Sequence, residues 1–247
     1  MERFTGKVAL ITGAGSGIGR AVAIRLAEEG ATIHAVDIDR TALEETAGLL
    51  GGKVEMQVTD ISEPDACAAA VAACMGRFGR LDVLGNVAGI YRAAHTPAMS
   101  REDYRRVISV NLDGPFFLCQ EAIPNLLKTG GNIVNVASNS GLQGVPYSAA
   151  YSASKGGVIQ LTRSLAVEFI KSALRVNAIA PAGTNTSLAA TASFPSDMDP
   201  DLVRRIAGLR GMTEPEEVAG LFAYLASDEA RSVTGAVYTI DNGITIS

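Results

Sequence analysis

The stretch Lys7-Val-Ala-Leu-Ile-Thr12, continued by Gly13-Ala-Gly-Ser-Gly-Ile-Gly19, decides the fold of this chain. Its first part is an apolar run bounded by glycine, which is typical of a short buried strand. A run of helix-forming residues from Arg20 to Glu29 follows the glycines and stops at Gly30. A strand, a glycine-rich turn and a helix in this order place a helix N-terminus where it can bind a phosphate group.

Each glycine of this turn has its own expected use. Gly13 would make the tight turn, Gly17 would let the backbone approach a pyrophosphate, and Gly19 would let the helix pack closely on the strand. We therefore predict that Gly13, Ser16, Gly17, Ile18 and Gly19 bind a dinucleotide cofactor. The spacing is Gly-x3-Gly-x-Gly, not the common Gly-x-Gly-x-x-Gly fingerprint. By itself, the turn also fits a strand-to-helix connection that binds no ligand.

Strands and helices alternate along the rest of the chain. Further strands are predicted at 31–37, 53–58, 81–86, 131–138, 174–180 and 236–240. This rhythm is typical of an α/β fold with a doubly wound, mostly parallel seven-stranded sheet and helices on both faces. The sequence contains no repeat or linker, so we expect one domain that spans 1–247.

The helices are less uniform than the strands. One long helical region is predicted over 101–128, and another helix carries Tyr151 and runs to about 171. Ser62 and Thr213 stand where each would cap a following helix. The segment 187–210 is polar, rich in alanine and broken by prolines, and a long interrupted insert of this kind beside a site is typical of a substrate lid.

Composition limits the classes of function. The 247 residues are 47% hydrophobic, which is enough for one large core. The net charge of −5 argues against a nucleic-acid partner, which would need a basic face. No apolar run reaches the roughly 18 residues of a membrane span, and the N-terminus does not have the layout of a signal peptide. We expect a cytoplasmic protein with no membrane contact.

The cysteines and histidines do not form a recognisable metal site. Cys67, Cys74 and Cys119 lie in predicted helices, are odd in number and are best explained as small buried side chains. His34 and His95 are the only histidines, and no zinc-binding spacing includes them. We predict no metal.

Polar residues stand at the predicted carboxyl ends of several strands. Asp37, Asp60, Asn86 and Ser138 all fall there, as does Gly13. Ligands of doubly wound sheets bind at this edge. Asp37 is positioned to accept hydrogen bonds from an adenosine ribose, and its carboxylate would repel a 2′-phosphate. The sequence therefore favours NAD over NADP.

Tyr151 and Lys155 are four residues apart in the run Tyr-Ser-Ala-Ser-Lys, so a helix would present both on one face. A phenol beside an ammonium group is a workable acid/base pair. Because the pKa of a free tyrosine is about 10, the site must lower it by roughly three units to work near neutral pH. Lysine alone is not expected to supply all of that shift, whereas an oxidised nicotinamide would add to it. Taken alone, the spacing also fits a helix that carries the two residues by coincidence.

Two further polar residues have both a structural and a functional interpretation. Asn111 is a polar residue in the middle of a predicted helix, where it costs stability unless it bonds the local backbone or serves a site. Ser138 ends a strand, and its hydroxyl would either bond the following loop or face a ligand.

With these residues assembled, the chain resembles the short-chain dehydrogenase/reductase family in its compact single-domain branch. The resemblance runs from about residue 7 to 243 and includes, in order, the glycine turn, Asn86-x-Ala88-Gly89, Asn111, Ser138 and Tyr151-x3-Lys155. It implies a Rossmann-like sheet and a catalytic group of Asn111, Ser138, Tyr151 and Lys155.

The resemblance also implies a role for each residue of that group. Tyr151 would exchange the proton of the substrate oxygen, and Ser138 would hold that oxygen. Lys155 would lower the pKa of Tyr151 and bond the nicotinamide ribose. Asn111 would extend a proton relay from Lys155 through its backbone and water.

The remaining implied cofactor contacts are spread over three segments. Asp60 would bond the adenine amine with Ile61 beside it. Small residues at the end of a strand would let the cofactor pass, and a later loop would meet the carboxamide. The residues at the end of the strand are Asn86, Ala88 and Gly89. Those of the later loop are Pro181, Thr184 and Thr186.

Three positions depart from the pattern that the family usually shows. The chain has Ala182 where the family often has glycine, and Thr184 where it usually has an apolar residue. It has Asp241-Asn-Gly243 where the family usually has Asp-Gly-Gly. The first two concern the nicotinamide contacts and the third a region often used for tetramer contacts.

The leading hypothesis is an NAD-dependent oxidoreductase that interconverts a secondary alcohol and a ketone. A cofactor-binding regulator without turnover, or an epimerase or dehydratase that uses the cofactor transiently, is the alternative. No arginine or lysine lies between Ser138 and Tyr151 to clamp an anion, which favours a neutral, partly apolar alcohol. The resemblance implies a homotetramer.

Overall fold

The computed structural model describes residues 2–52, 54–190, 192, 194–204 and 210–246. Seven strands form one sheet, and all of their pairings are parallel. The strands are β1 Val8–Thr12, β2 Thr32–Asp37, β3 Val54–Val58, β4 Val83–Asn86, β5 Asn132–Val136, β6 Arg175–Pro181 and β7 Val237–Ile240. Their spatial order is β3-β2-β1-β4-β5-β6-β7. The predicted α/β class and doubly wound sheet are confirmed.

Helices cover both faces of this sheet. They are α1 Gly17–Glu28, α2 Arg40–Leu49, α3 Pro64–Phe78, α4 Arg101–Ile108, α5 Gly114–Thr129, α6 Ala149–Glu168, α7 Ser187–Ala190, α8 Pro200–Arg204 and α9 Pro215–Ala226. One core includes Ile11 of the sheet, Leu26 of α1 and Phe222 of α9. The other packs α3 and α5 on the opposite face and contains all three cysteines. No helix in the described part of the chain is long and apolar enough to cross a membrane.

The order of the strands creates the crevice that the site uses. β2 and β3 lie on one side of β1, and β4, the next strand in the chain, lies on the other side. The turns that follow β1 and β4 therefore diverge at the carboxyl edge of the sheet, where ligands of such folds bind. A Cβ on Gly13 would lie 2.9 Å from Cα of Ala88, so these two turns touch only because residue 13 is glycine.

The long helical region predicted over 101–128 is confirmed, but it is not one uniform α-helix. The chain forms α4, then a π-helical turn at Ser109–Asp113, then α5. Asn111 lies in that turn and is fully buried. Its side-chain amide accepts a hydrogen bond from N–H of Ile90 at 2.8 Å and donates one to the carbonyl of Ile90 at 2.9 Å. The widened turn thus aims the amide at a loop from another part of the chain.

The predicted N-cap residues of α3 and α9 are wrong, each by one position. Glu63, not Ser62, is the N-cap of α3, and Ser62 instead bonds Asp60. Glu214, not Thr213, is the N-cap of α9, where it forms a capping box with Glu217.

Candidate active site

A cavity of about 620 Å³ lies at the carboxyl edge of the sheet. It contains every residue predicted to bind the cofactor or to act in catalysis except Asn86 and Asn111. Those that line it are Gly13, Ser16, Gly17, Ile18, Gly19, Asp37, Asp60, Ile61, Ala88, Gly89, Ser138, Tyr151, Lys155, Pro181, Thr184 and Thr186. Residues 13 and 186, which are 173 positions apart in the sequence, thus line the same cavity.

Asn86 and Asn111 are the two predicted residues that do not line this cavity. Asn86 is buried, and its side chain turns into the sheet to donate to Oδ1 of Asn135 at 2.8 Å. A direct side-chain contact of Asn86 with a cofactor therefore does not follow from the structure. Asn111 lies behind the cavity wall, where it holds Ile90 and also donates to Oγ of Ser154 at 3.2 Å.

The glycine turn is shaped by close contacts that larger residues would block. Gly13 and Gly17 have φ of +68° and +50°, which favour glycine. A Cβ on Gly19 would overlap the carbonyl oxygen of Gly13, and a Cβ on Gly17 would lie 3.0 Å from Cγ2 of Thr186. The turn therefore presents bare backbone to the cavity at the N-terminus of α1, where N–H groups favour an anion.

Asp37 ends β2 directly above the turn. Its Oδ2 accepts a hydrogen bond from N–H of Gly15 at 2.9 Å, and its Oδ1 accepts one from N–H of Asp39 at 3.0 Å. The neighbouring Ile38 is 58% exposed and also lines the cavity. A carboxylate with lone pairs left over and an exposed apolar side chain thus stand side by side at the edge of β2.

Arg20 stabilises this corner, a role that no sequence pattern indicates beyond a basic residue on α1. Its guanidinium donates to the carbonyl of Gly15, to Oε2 of Glu45 at 2.8 Å and to Oγ1 of Thr46 at 2.9 Å. Thr46 in turn donates to the carbonyl of Ala14 at 2.9 Å. Arg20 and Thr46 together tie the glycine turn to α2.

Asp60 follows β3 and is held by two partners. Oδ2 of Asp60 lies 3.0 Å from Nη2 of Arg106, while Oδ1 accepts from N–H and Oγ of Ser62. Arg106 also donates to Ser62 at 2.6 Å and lines the cavity. Burial raises the pKa of the Asp60 carboxyl, but the hydrogen bonds from Ser62 and Arg106 together outweigh burial and hold the pKa below its usual value. Arg106 is a site residue that the sequence analysis missed.

Tyr151, Lys155 and Ser138 converge at the other end of the cavity. Lys155 is 4% exposed, and its Nζ stands 5.8 Å from the ring centroid of Tyr151. Burial raises the pKa of Tyr151 to about 12, and a hydrogen bond with Ser138 acts in the opposite direction. Burial also lowers the pKa of Lys155 to about 8. Burial thus acts against the low tyrosine pKa that acid/base chemistry near neutral pH needs, and Ser138 acts toward it.

An aromatic residue outside the predicted catalytic group packs on Tyr151. The ring of Tyr91 stands at 78° to that of Tyr151, with 4.9 Å between centroids. The hydroxyl of Tyr91 lies 2.6 Å from Oγ of Ser148. The ring centroid of Phe194 lies 5.8 Å from that of Tyr91, and both rings line the cavity.

The predicted lid at 187–210 includes 191, 193 and 205–209, which lie outside the described residues. Its described part contains α7 and α8, and Leu188, Ala189 and Phe194 line the cavity. N–H of Asp199 donates to the hydroxyl of Tyr147 at 2.8 Å. The function of this segment as a lid stays a prediction.

The loop after β6 carries the two departures from the family pattern. Thr184 is buried, and its hydroxyl donates to the carbonyl of Ala182 at 3.2 Å. Thr186 donates to the carbonyl of Thr184 at 3.3 Å. Both hydroxyls keep lone pairs for a ligand that donates.

The side chains of the metal-ligating types are dispersed over the part of the chain that the structure describes. Within those residues, no three side chains of His, Cys, Asp or Glu are grouped so that they would hold an ion.

The fold and the cavity define a Rossmann-like α/β protein with a tyrosine–lysine site, and comparison with known proteins agrees. The family model described as "Enoyl-(Acyl carrier protein) reductase" matches residues 13–245. The 3beta-hydroxysteroid dehydrogenase of Mediterraneibacter gnavus is 41% identical, over 99% of this chain and 97% of its own length. The 3-oxoacyl-(acyl-carrier-protein) reductase of Thermotoga maritima is 42% identical, over 99% of this chain and 100% of its own length.

Solved structures give the same result. A short chain dehydrogenase from Mycobacterium paratuberculosis, crystallised bound to NAD, superimposes with a TM-score of 0.92 and 31% identity, over 99% of this chain and 100% of that one. The chain belongs to the short-chain dehydrogenase/reductase family, whose members are oxidoreductases.

Proposed function

We propose that the protein is an NAD-dependent oxidoreductase that interconverts a secondary alcohol and a ketone. One observation carries the proposal: Tyr151, Lys155 and Ser138 line the same cavity as the glycine turn and Asp37. A cofactor bound along the turn would extend toward the tyrosine, so that a substrate held there would meet both. The related structure bound to NAD supports the choice of cofactor.

The residues of the cavity fit NAD. Bare backbone at Gly13 and Gly17 leaves room for a pyrophosphate at the N-terminus of α1. The carboxylate of Asp37 would accept hydrogen bonds from the ribose and repel a 2′-phosphate. Arg20 is engaged with Gly15 and Glu45, and Arg40, the next cation after Asp37 in the sequence, lies exposed at the start of α2.

The rest of the cofactor would be held by the other lining residues. Asp60, Ile61 and Arg106 would bound the adenine, and Ala88 and Gly89 would border the ribose. Pro181, Thr184 and Thr186 would meet the carboxamide.

Tyr151 would act as the acid/base group. In oxidation its phenolate takes the proton of the alcohol oxygen, and in reduction its phenol returns that proton. Ser138 holds the substrate oxygen and, through its hydrogen bond, lowers the pKa of Tyr151. Lys155 supplies a buried positive charge beside the phenol, which favours the phenolate. Held by the glycine turn and Asp37, NAD would supply the acceptor for the hydride of the alcohol carbon, and its oxidised ring would add a second positive charge before that transfer.

Asn111 would be a positioning residue. Its amide fixes both backbone groups of Ile90, at the start of the loop that carries Tyr91. A Cβ on Gly89 would lie 3.3 Å from both Oδ1 of Asn111 and Nζ of Lys155, so both side chains reach the backbone at Gly89. The proposed place of Asn111 in a proton relay, through backbone and water, is supported by this proximity.

The proposal is tested by following NADH formation with a panel of secondary alcohols, using NAD and NADP in parallel. We expect turnover with NAD only. Tyr151→Phe should keep NAD binding and lose nearly all turnover, while Tyr104→Phe, on the exposed face of α4, serves as the control. Normal turnover by Tyr151→Phe would refute the proton role, and NAD binding without any net NADH would favour an epimerase or a regulator.

We also propose a homotetramer, which the exposed apolar side chains at the end of α6 support. Val167 and Ile170 are 72% and 60% exposed. Gly157 does not contribute to this surface, since a Cβ there would lie 2.9 Å from Leu112 of the same chain. Light scattering should give four times the chain mass of 25.6 kDa. A monomer mass would exclude the tetramer.

A further inference from the structure

Tyr91 and Phe194, called here the aromatic wall, stand beside the catalytic tyrosine in the part of the cavity that the cofactor residues leave free. On the basis of the proposed function, we propose that this wall makes the enzyme selective for neutral alcohols on an apolar ring, against polyols and anionic substrates. Tyr91 and Phe194 are specificity-determining residues in this proposal.

The wall is fixed at its Tyr91 end. The ring is clamped edge-on against Tyr151, and its hydroxyl is bonded to Ser148. Oγ of Ser148 also lies 3.2 Å from the carbonyl oxygen of Pro146, to which it donates. Because its hydroxyl is bonded to Ser148, Tyr91 presents mainly its apolar ring to the cavity.

The other end of the wall has apolar surface to spare. Phe194 is tilted by 54° against Tyr91 and is 50% exposed. Leu188, Ala192 and Met212 line the cavity with it. A flat or chair-shaped ring next to Tyr151 would cover this surface and remove it from water, which favours binding.

Among the described lining residues, no exposed cation stands at the wall to pair directly with an anion. Of these residues, the charged ones are Asp37, Asp60, Arg106 and Lys155. Asp60 and Arg106 neutralise each other, and Nζ of Lys155 donates to the carbonyl of Val136. Asp37 stands at the other end, over the glycine turn.

Asn139 and Ser140 also line the cavity next to Ser138, but both are buried, so few polar groups at this end would satisfy extra hydroxyls. Ser138 and Tyr151 would be occupied by the reacting oxygen, and Oγ of Ser138 also contacts Oδ1 of Asn139. A substrate with a hydroxyl on every ring carbon would leave several of them against Phe194 and Leu188. Desolvating a hydroxyl without a partner opposes binding.

The test compares two alcohols with the same six-membered carbon ring: cyclohexanol, and myo-inositol, which has a hydroxyl on each carbon. The ratio of their kcat/KM values is measured with saturating NAD for the wild type, Phe194→Ala, Tyr91→Phe and Phe116→Ala. Phe116 is the matched control, because it is 45% exposed and lies on α5 outside the cavity lining. An acyclic alcohol, 2-butanol, serves as a reference that needs no ring contact.

We expect the wild type to favour cyclohexanol by at least about 100-fold. Phe194→Ala should lower kcat/KM for cyclohexanol about tenfold, which corresponds to about 1.4 kcal/mol, with little effect on 2-butanol or on the KM for NAD. Tyr91→Phe, which keeps the ring, and Phe116→Ala should both keep the preference.

The possible failures are distinct. Equal use of inositol and cyclohexanol, or an effect of Phe194→Ala no larger than that of Phe116→Ala, would overturn the aromatic wall while turnover of 2-butanol still upheld the proposed function. If no alcohol in the panel gave NADH, the proposed function would fail, and the wall with it.

Discussion

Nζ of Lys155 lies 2.8 Å from the carbonyl oxygen of Val136 and donates a hydrogen bond to it. This bond ties α6 to the carboxyl end of β5 and holds the ammonium group inside the protein. The space around it is tight, since a Cβ on Gly89 would lie 3.3 Å from Nζ of Lys155. Burial lowers the pKa of Lys155 to about 8, so the lysine is still mostly charged at pH 7.

Replacing Lys155 by methionine should therefore remove the charge with little change in shape. We expect kcat to fall about 100- to 1,000-fold, within the range attributed to general acid–base catalysis. Lys155→Arg should not restore activity, because the larger planar guanidinium does not fit between Gly89 and the carbonyl of Val136, where Nζ lies. Stopped-flow or steady-state NADH assays measure the loss, with Lys128→Met, an exposed lysine on α5, as the control. A Lys155→Met enzyme with wild-type kcat would show that the charge is not needed.

The second prediction concerns how Ser138 sets the pH dependence of turnover. Alcohol oxidation needs the phenolate of Tyr151, so kcat should rise about tenfold per pH unit until the pKa of Tyr151 in the NAD complex is passed. The hydrogen bond with Ser138 lowers that pKa, against burial, which raises it. Ser138→Ala should therefore move the midpoint of the profile to higher pH. Ser140→Ala is the control, because Ser140 contacts Ser138 through its backbone N–H. A midpoint that stays in place or moves to lower pH would contradict the prediction.

The third prediction concerns Asp37 and the choice between NAD and NADP. Asp37→Ser should raise the KM for NAD about tenfold, since it loses charged hydrogen bonds, and should improve the use of NADP by removing the repulsion. The ratio of kcat/KM for the two cofactors is the measurement. Asp39→Ser is the matched control, because that exposed carboxylate caps α2 through N–H of Ala42. Because serine caps a helix about as well as aspartate, this control should leave both stability and the cofactor ratio nearly unchanged. An unchanged ratio in Asp37→Ser would refute the argument.

The features that follow from local pattern could be predicted from the sequence. The apolar run of β1 and the glycine turn predicted the first strand and helix, because burial and backbone freedom are local requirements of those residues. The polar residues at strand ends predicted the edge where the cavity lies. The predicted end of α6, at about residue 171, lies beyond the observed end at Glu168.

The features that depend on contacts between distant parts of the chain could not be predicted. The π-helical turn at Asn111 is stabilised by Ile90, which is 21 positions away. Arg106 meets Asp60 across 46 positions, so in the sequence it is only one of several basic residues on a helix. Tyr91 has no motif of its own, and only its contact with Tyr151 places it in the site.

The fourth prediction tests the brace formed by Arg20. Arg20→Met removes the bonds from its guanidinium to Gly15, Glu45 and Thr46 and leaves the turn less firmly held to α2. We expect the KM for NAD to rise about fivefold, which is about 1 kcal/mol, with kcat for bound substrate nearly unchanged. The control is Arg25→Met on the same helix, whose guanidinium bonds Glu29 and not the turn. That variant should lose stability without a change in KM, and an equal KM effect in both variants would show that Arg20 acts only on stability.

The last prediction concerns His34, which is buried in β2 and links the stability of the fold to pH. Its Nε2 donates to Oε1 of Gln57 at 3.1 Å, while its Nδ1 is buried and has no hydrogen-bond partner among the described residues. A second proton would therefore have to enter the core unpaired, and burial lowers the pKa of His34 below its usual value of 6.5. The unfolded chain binds that proton more readily than the folded one. The contribution of neutral His34 to the free energy of unfolding is therefore fully present above pH 6.5. It is lost as the pH drops toward the pKa of His34 in the folded protein.

The free energy of unfolding by urea, measured at fixed protein concentration between pH 8 and pH 5, tests this. The slope below pH 6.5 should approach at most about 1.4 kcal/mol per pH unit for one proton. His34→Leu should flatten it, because the group that takes up the proton on unfolding is gone. His95→Gln should keep the slope, since His34 remains. Glu29 and Asp60 have pKa values lowered from 4.5 and 3.8, so their titration weakens the fold only at lower pH and does not blur this window. An unaltered slope in His34→Leu would place the pH sensitivity elsewhere in the molecule.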